Sequence, residues 1–330
     1  MSARQILELL DSHAAGDEER LLSLVLTAAA AEARAGRPDE AEALKKAVQK
    51  VRTTSGRAAG GVTPIPLARP RGELQAIVAS HYPKTSLSGM VLSETLSTRL
   101  ERIVRQQKER AVLRDHGQVP ATHMLLIGPP GTGKTMTASA LAGELRLPLF
   151  TVKMESLFSR YMGETAGKLR LLFDQVAQTR GVYLLDEFDA LGSRRGDPND
   201  VGEMRRVLNA VLGFMEEPNS TDSLVVAATN HVEVLDRALA RRFDEVVEYG
   251  LPGPKEAAGL VASRLRTFKL DAKSRKRLEP EMEGLSQGEL VRAADSAVKD
   301  AILEGAKTVS AERLGAALRE RRAVRDRFHA

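Results

Sequence analysis

The chain has 330 residues, 42% of them hydrophobic and 28% charged, a composition suited to a globular protein with more than one core. Its 49 basic and 44 acidic side chains leave a net charge of +5, too small an excess to mark a nucleic-acid surface, so a nucleic-acid partner is not expected. The lack of cysteine excludes disulfides and thiolate metal centres. Residues 1–10 lack the charged and apolar regions of a signal peptide, and no run approaches the roughly 18 apolar residues of a spanning helix, so a cytoplasmic protein without membrane attachment is expected.

Residues 1–52 read as three short helices. Ile6, Leu9 and Leu10, then Leu21, Leu22, Val25 and Leu26, repeat at helical spacing; an Ala-rich run follows, broken at Gly36-Arg37-Pro38. A small helical bundle is expected there, serving docking or oligomerisation. Residues 53–72 carry Pro64, Pro66 and Pro70 among glycines and arginines and read as a flexible linker. From 73 to 250 an amphipathic helix over 96–113 precedes apolar strands at 124–127, 149–152, 182–185, 224–228 and 246–249, with helices between them. Continuous apolar strands alternating with helices predict an α/β fold with a buried parallel sheet. Residues 251–330 are almost wholly helical, over 255–268, 287–303 and 311–322 with a turn near Leu278, and form a smaller lid domain.

The chemistry starts at Gly128-Pro129-Pro130-Gly131-Thr132-Gly133-Lys134-Thr135, lying between a predicted strand and a predicted helix. That context makes it a P-loop: glycines let backbone N–H groups turn around phosphate, and the helix adds its positive N-terminal end. Pro130, Gly131, Thr132, Gly133, Lys134, Thr135 and Met136 are the expected nucleotide contacts, with Lys134 on the β and γ phosphates. Thr135 is an expected ligand of Mg²⁺. Asp186 and Glu187 end the third strand, at the sheet edge where ligands bind. Asp186 is expected to hold Mg²⁺ and Glu187 to deprotonate the attacking water. Asn230, at the end of the fourth strand, is placed to bond that water and the γ-phosphate. Arg241 and Arg242, adjacent and just before the fifth strand, are placed to act in trans on a neighbour's phosphate where oligomers form.

In this order, Gly-Pro-Pro-Gly-Thr-Gly-Lys-Thr, Leu-Leu-Asp-Glu-Phe-Asp, Ala-Ala-Thr-Asn and Ala-Arg-Arg-Phe-Asp make the chain resemble the AAA ATPases. The resemblance spans about 72–322. It implies a P-loop nucleotide domain with a helical lid, a ring that is usually hexameric, ATP and Mg²⁺ as cofactors, and a protein substrate. By that similarity Asn230 resembles the sensor-1 residue and Arg241 and Arg242 the arginine fingers. Tyr161 and Met162, in Arg160-Tyr161-Met162-Gly163-Glu164, resemble the pore loop that grips an extended polypeptide, with 192–201 as a second pore-facing loop and Arg205 and Arg206 linking it to the neighbour. Gly284-Leu285-Ser286-Gln287-Gly288-Glu289-Leu290 resembles the lid loop beside the adenine, with Arg292 the nearest candidate for a phosphate-sensing arginine. The N-terminal helices, the linker and the Tyr-Met-Gly-Glu-Thr loop are similar to bacterial AAA ATPases paired with a subtilisin-like serine protease, which implies a role in anti-phage or plasmid-exclusion defence. The alternatives to protein threading are a DNA- or RNA-stimulated ATPase or loader and a nucleotide-gated assembly scaffold.

Overall fold

The computed structural model describes residues 42, 46, 70, 72–157, 162–191, 207, 209–231, 240–266, 268, 270 and 272–329. The chain divides between Thr63 and Pro64 into two compact units. In the first, Glu42 and Lys46 are described: both are helical and they form an i,i+4 ion pair of 3.1 Å. The remaining expected helices of 1–52, and nearly all of the linker 53–72, lie outside the described residues.

The second unit is built on a six-stranded sheet in the order β1-β3-β4-β5-β2-β6. The strands are β1 (Val78–His81), β2 (His123–Ile127), β3 (Leu149–Val152), β4 (Val182–Leu185), β5 (Leu224–Thr229) and β6 (Glu245–Glu248). All neighbouring pairs are parallel except β1 with β3. Successive side chains of a strand point to opposite faces, and here both faces are covered. Leu125, Tyr183, Leu185, Val225 and Ala227 enter one core. Met124, Leu126, Val182, Leu184, Val226 and Ala228 enter the other. This double burial is why β2, β4 and β5 read as unbroken apolar runs. β1 escaped the pattern because it is an antiparallel edge strand with Ser80 and His81 in its exposed half.

The helices are α1 (Leu74–Ile77), α2 (Glu94–Lys108), α3 (Arg110–Asp115), α4 (Lys134–Leu145), α5 (Met154–Leu157), α6 (Met162–Gln178), α7 (Pro254–Leu265), α8 (Ala272–Met282), α9 (Gln287–Leu303) and α10 (Ala311–His329), with further helical turn at 209–215. The single helix expected over 96–113 is two, interrupted at Glu109. The bend brings Arg110 and Arg114 together on Asp222, at 3.4 and 2.6 Å. A turn was expected near Leu278, because Lys-Ser-Arg-Lys-Arg and Pro280 hide any apolar period. The structure forms α8 there, held by Leu278 and Met282 in a third core built from residues of α7 to α10.

β6 is tied to the start of β2 by Asp244. Its Oδ2 accepts from the amides of Thr122 at 2.8 Å and His123 at 2.9 Å. Burial alone would raise this carboxyl, but the His123 side chain and the two amides outweigh it and hold the pKa down at about 2. The folded value lies below the ordinary 3.8, so this stabilisation is present above about pH 4 and lost as pH falls toward 2. Asp244→Asn should therefore lower stability at neutral pH and flatten its decline between pH 4 and 2; urea unfolding across that interval measures both effects.

Candidate nucleotide-hydrolysis site

The phosphate loop leaves the C-terminal end of β2 at Gly128. This glycine has φ +142°, and a Cβ on it would stand 2.2 Å from the carbonyl oxygen of Tyr249. No other residue fits that approach. Tyr249 is fixed in turn by a 2.6 Å hydrogen bond between its hydroxyl and that of Thr137 on α4, and burial pushes its phenol up to about 12 although Thr137 opposes the shift. Gly131 (φ +77°) and Gly133 (φ +99°) complete a turn that feeds directly into α4, whose free N–H groups and positive end face the loop. This is a cradle that side chains would fill, and it fits a polyphosphate.

Lys134 is 7% exposed. Its ammonium donates to the carbonyls of Gly128 at 2.7 Å and Pro129 at 2.8 Å and to Oδ1 of Asn230 at 2.8 Å. These bonds use all three N–H donors of the group. Burial lowers its pKa, while the carboxylates of Asp186 and Asp189 pull the other way and favour the charge. A phosphate entering the cradle meets a cation whose bonds to neutral oxygens can be exchanged for bonds to anionic ones.

Beside it, the Thr135 hydroxyl donates to Asp186 Oδ2 at 2.6 Å. Two hard oxygen ligands therefore meet at one point next to the cradle. Among the described residues there is no group of three or more His, Asp or Glu that could hold a metal ion. That donor set fits Mg²⁺, which takes one or two protein oxygens and completes its shell with phosphate and water. Glu187 follows at φ +52°, a left-handed conformation unusual for a residue with a side chain, and its amide donates to Asp186 Oδ1 at 3.0 Å. The strained residue is the expected base, exposed at the sheet edge.

Sequence reasoning missed Asp189. Its Oδ1 accepts from the Thr229 hydroxyl at 2.8 Å and the Asn230 amide at 3.4 Å. It thereby fixes the end of β5 and aims Asn230 at Lys134. The signal was available, since Asp189 stands one residue beyond the Asp186-Glu187-Phe188 run. Phe188 packs edge-on against Phe243, ring centres 6.2 Å apart, which ties this segment to the one carrying the arginine pair. Arg241 and Arg242 are both exposed, and neither has a described bond to the phosphate loop of its own chain. Arg242 pairs with Glu216, while Arg241 has no ion pair or hydrogen bond among the described residues.

The lid loop contacts the phosphate loop directly: the Gly288 amide donates to Gly131 O at 2.8 Å. Between them lies a cleft of about 390 Å³ lined by Pro129, Pro130, Leu251, Arg292 and Arg325 among others. Gly284 to Gly288 also has the Gly-x-Ser-x-Gly spacing of a hydrolase nucleophile elbow. The structure assigns it differently. Ser286 follows a helix rather than a strand, is 6% exposed, and caps α9 in a reciprocal bond with Glu289. Met136 is exposed beside the loop, at 46%. Met162 begins α6, and Tyr161, the loop 192–201, Arg205 and Arg206 lie outside the described residues.

The family model "ATPase family associated with various cellular activities (AAA)" matches residues 124–251. The chain is 35% identical to an uncharacterised AAA family ATPase of Sinorhizobium fredii, over 72% of each chain. It is 34% identical to a protein of Methanothermobacter marburgensis provisionally named a 26S proteasome regulatory subunit homolog, over 60% of this chain and 55% of that one. Among solved structures it resembles the FIGL-1 AAA domain in complex with ADP, with a TM-score of 0.60, 24% identity, and coverage of 74% of this chain and 86% of that one.

Asp189→Asn keeps the shape of the side chain but removes the charge that favours protonated Lys134 and weakens the hold on Thr229. It should lower kcat for ATP by about tenfold or more, the loss of a charged hydrogen bond, with a smaller change in ADP affinity. Steady-state kinetics and calorimetric ADP titration check the split.

Proposed function

The chain belongs to the AAA family of ATPases, and on that premise we propose that it is a ring-forming, Mg²⁺-dependent enzyme that hydrolyses ATP at subunit boundaries to remodel or thread a protein. The observation that carries the reading is the convergence of Lys134, Asn230, Thr135 and Asp186 at the C-terminal ends of β2, β4 and β5. Lys134 takes the β and γ phosphates, Thr135 and Asp186 hold the metal, and Mg²⁺ when bound neutralises charge building on the phosphates. Glu187 takes the proton of the attacking water, and Asn230 orients that water against the γ-phosphate. Arg241, with no ion pair among the described residues, and Arg242, whose pair with Glu216 lies on the exposed surface, reach the phosphate of the adjoining subunit.

The protein substrate is supported by the likeness to the proteasome regulatory subunit homolog. Tyr161 and Met162 form the pore-lining grip, residues 1–52 the docking module, 53–72 the tether, 73–250 the nucleotide domain and 251–330 the lid. The working assembly is a hexamer. The similarity of the N-terminal segment and the Tyr161 loop to protease-paired ATPases extends the reading to a separate subtilisin-like protease in bacterial defence. A partner is required for cleavage on this reading, because the chain's own Gly-x-Ser-x-Gly run is a helix cap.

Hydrolysis shared across subunits has a specific signature. Glu187→Gln should bind ATP and lose turnover by at least about a hundredfold. Arg241→Ala should lose about a thousandfold or more. Mixing the two inactive proteins should restore part of the activity, because the Glu187→Gln subunit still offers Arg241 to an intact neighbouring site. No recovery on mixing would rule out action in trans.

Substrate class is read from ATPase rates with an unfolded protein, with DNA, and with neither. Stimulation by unfolded protein of about twofold or more, lost in Tyr161→Ala, supports threading. Stimulation by DNA that falls steeply with salt would replace it with a nucleic-acid machine.

A further inference from the structure

The helix that ends the described chain, α10, does more than complete the third core. Leu314 and Leu318 are buried in that core, but one turn later the helix directs guanidinium groups at the end of α8. Arg322 donates to the carbonyls of Pro280 and Glu283, both at 2.8 Å. Arg325 Nη1 donates to the carbonyl of Gly284 at 2.5 Å. The last carbonyls of a helix and of the turn beyond it lack intrahelical partners and form its negative end, so cations there are doubly favoured. Arg325 is also fixed in orientation, since Nε and Nη2 bond the neighbouring Asp326 at 2.9 and 2.7 Å.

What these arginines hold is the loop that touches the nucleotide site. Gly284 is left-handed, at φ +77°, and turns the chain from α8 toward Ser286, the cap of α9. From there two contacts reach the phosphate loop. The Gly288 amide donates to Gly131 O, and Ser286 Oγ lies where a Cβ on Gly131 would approach to 2.8 Å. A continuous run of contacts therefore leads from α10, through Gly284 and Ser286, to Gly131. Arg325 and Gly131 line the same cleft.

We propose that Arg325, assisted by Arg322, is a positioning residue for the nucleotide. It holds the segment from Gly284 to Gly288 against the phosphate loop and so sets how tightly the cleft retains a nucleoside di- or triphosphate, without acting on the bond that breaks. The inference rests on the ATPase reading. The bond is charge-assisted and spans the short loop at its left-handed end, so its loss frees the loop to move off Gly131. The effect falls on binding rather than on chemistry, because Glu187, Asn230 and Asp186 are held from the other side of the site, by β4, β5 and Asp189.

The test compares the full-length wild type with Arg325→Gln, Arg325→Lys and Arg322→Gln, by calorimetric titration with ADP in the presence of Mg²⁺ and by steady-state ATP hydrolysis. Arg325→Gln is expected to raise the Kd for ADP and the KM for ATP about tenfold, with kcat within about twofold of wild type. Arg325→Lys, which keeps a charged donor for Gly284, is expected to recover most of the affinity. Unchanged Kd and KM in Arg325→Gln overturns the proposal, and so does a fall in kcat with KM unchanged. If Arg325→Gln does not fold, Arg322→Gln decides by the same criterion: weakened ADP binding supports the proposal and wild-type binding overturns it. A wild type that binds no nucleotide overturns the ATPase reading along with it, whereas a wild type that binds, with variants that match it, overturns this inference alone.

Discussion

The ammonium of Lys134 is the point on which the site is organised. It is almost buried, and three neutral oxygens accept its hydrogen bonds: two from the loop that leaves β2 and one from Asn230 at the end of β5. A buried cation without such partners would cost several kcal/mol. The loop must therefore curl its carbonyls inward, and β5 must end where an amide can reach. The carboxylates of Asp186 and Asp189 also favour the charge. Phosphate binding at this place is a substitution of partners around a cation already desolvated and already held in position, so little reorganisation is left for the moment of binding.

The loop can take this shape because the sheet beneath it leaves no room for an alternative. Gly128 lies against the Tyr249 carbonyl, and Tyr249 is held by Thr137 from the helix that the loop itself begins. Strand β6, loop and helix α4 therefore fix one another. Asp244 anchors the far end of β6 to β2 through backbone amides, so the strand under the loop is secured at both ends. The same segment carries Arg241 and Phe243, and Phe243 packs on Phe188, next to Asp186 and Glu187 in the chain. On the proposed reading, the residue offered to a neighbouring subunit is mounted on the core of its own site, which would give assembly a direct mechanical route to hydrolysis.

Lid and phosphate loop meet through backbone atoms, Gly288 to Gly131, and a Cβ on Gly131 would crowd Ser286 Oγ at 2.8 Å. Contacts of this kind carry no residue-specific chemistry, so their strength depends on what holds the lid loop in place. Here that support comes from the C-terminal helix, by way of guanidinium groups on the free carbonyls at the end of α8. The far end of the described chain is in this way physically continuous with the first motif that the sequence reveals.

Much of this site was legible in the sequence. The run from Gly128 to Thr135 needs only a strand before it and a helix after it, and both are marked by local patterns: a continuous apolar stretch, then helix-forming residues. Asp186, Glu187 and Asn230 were readable for the same reason, since each ends a strand buried on both faces. Strand β1 was not, because an edge strand exposed on one side carries polar residues that erase the pattern, and α8 was not, because its hold comes from two side chains in a core built by distant helices. The roles of Asp189, Arg322 and Arg325 lie wholly in tertiary structure. Each works by donating to or accepting from a backbone or hydroxyl group brought near by folding, about 40 positions away in the chain, and no spacing rule links residues that only the packed sheet and lid bring together. Local periodicity and turn chemistry thus determined the fold class and marked the candidate reacting groups, while the partners that aim and hold those groups were decided by long-range packing.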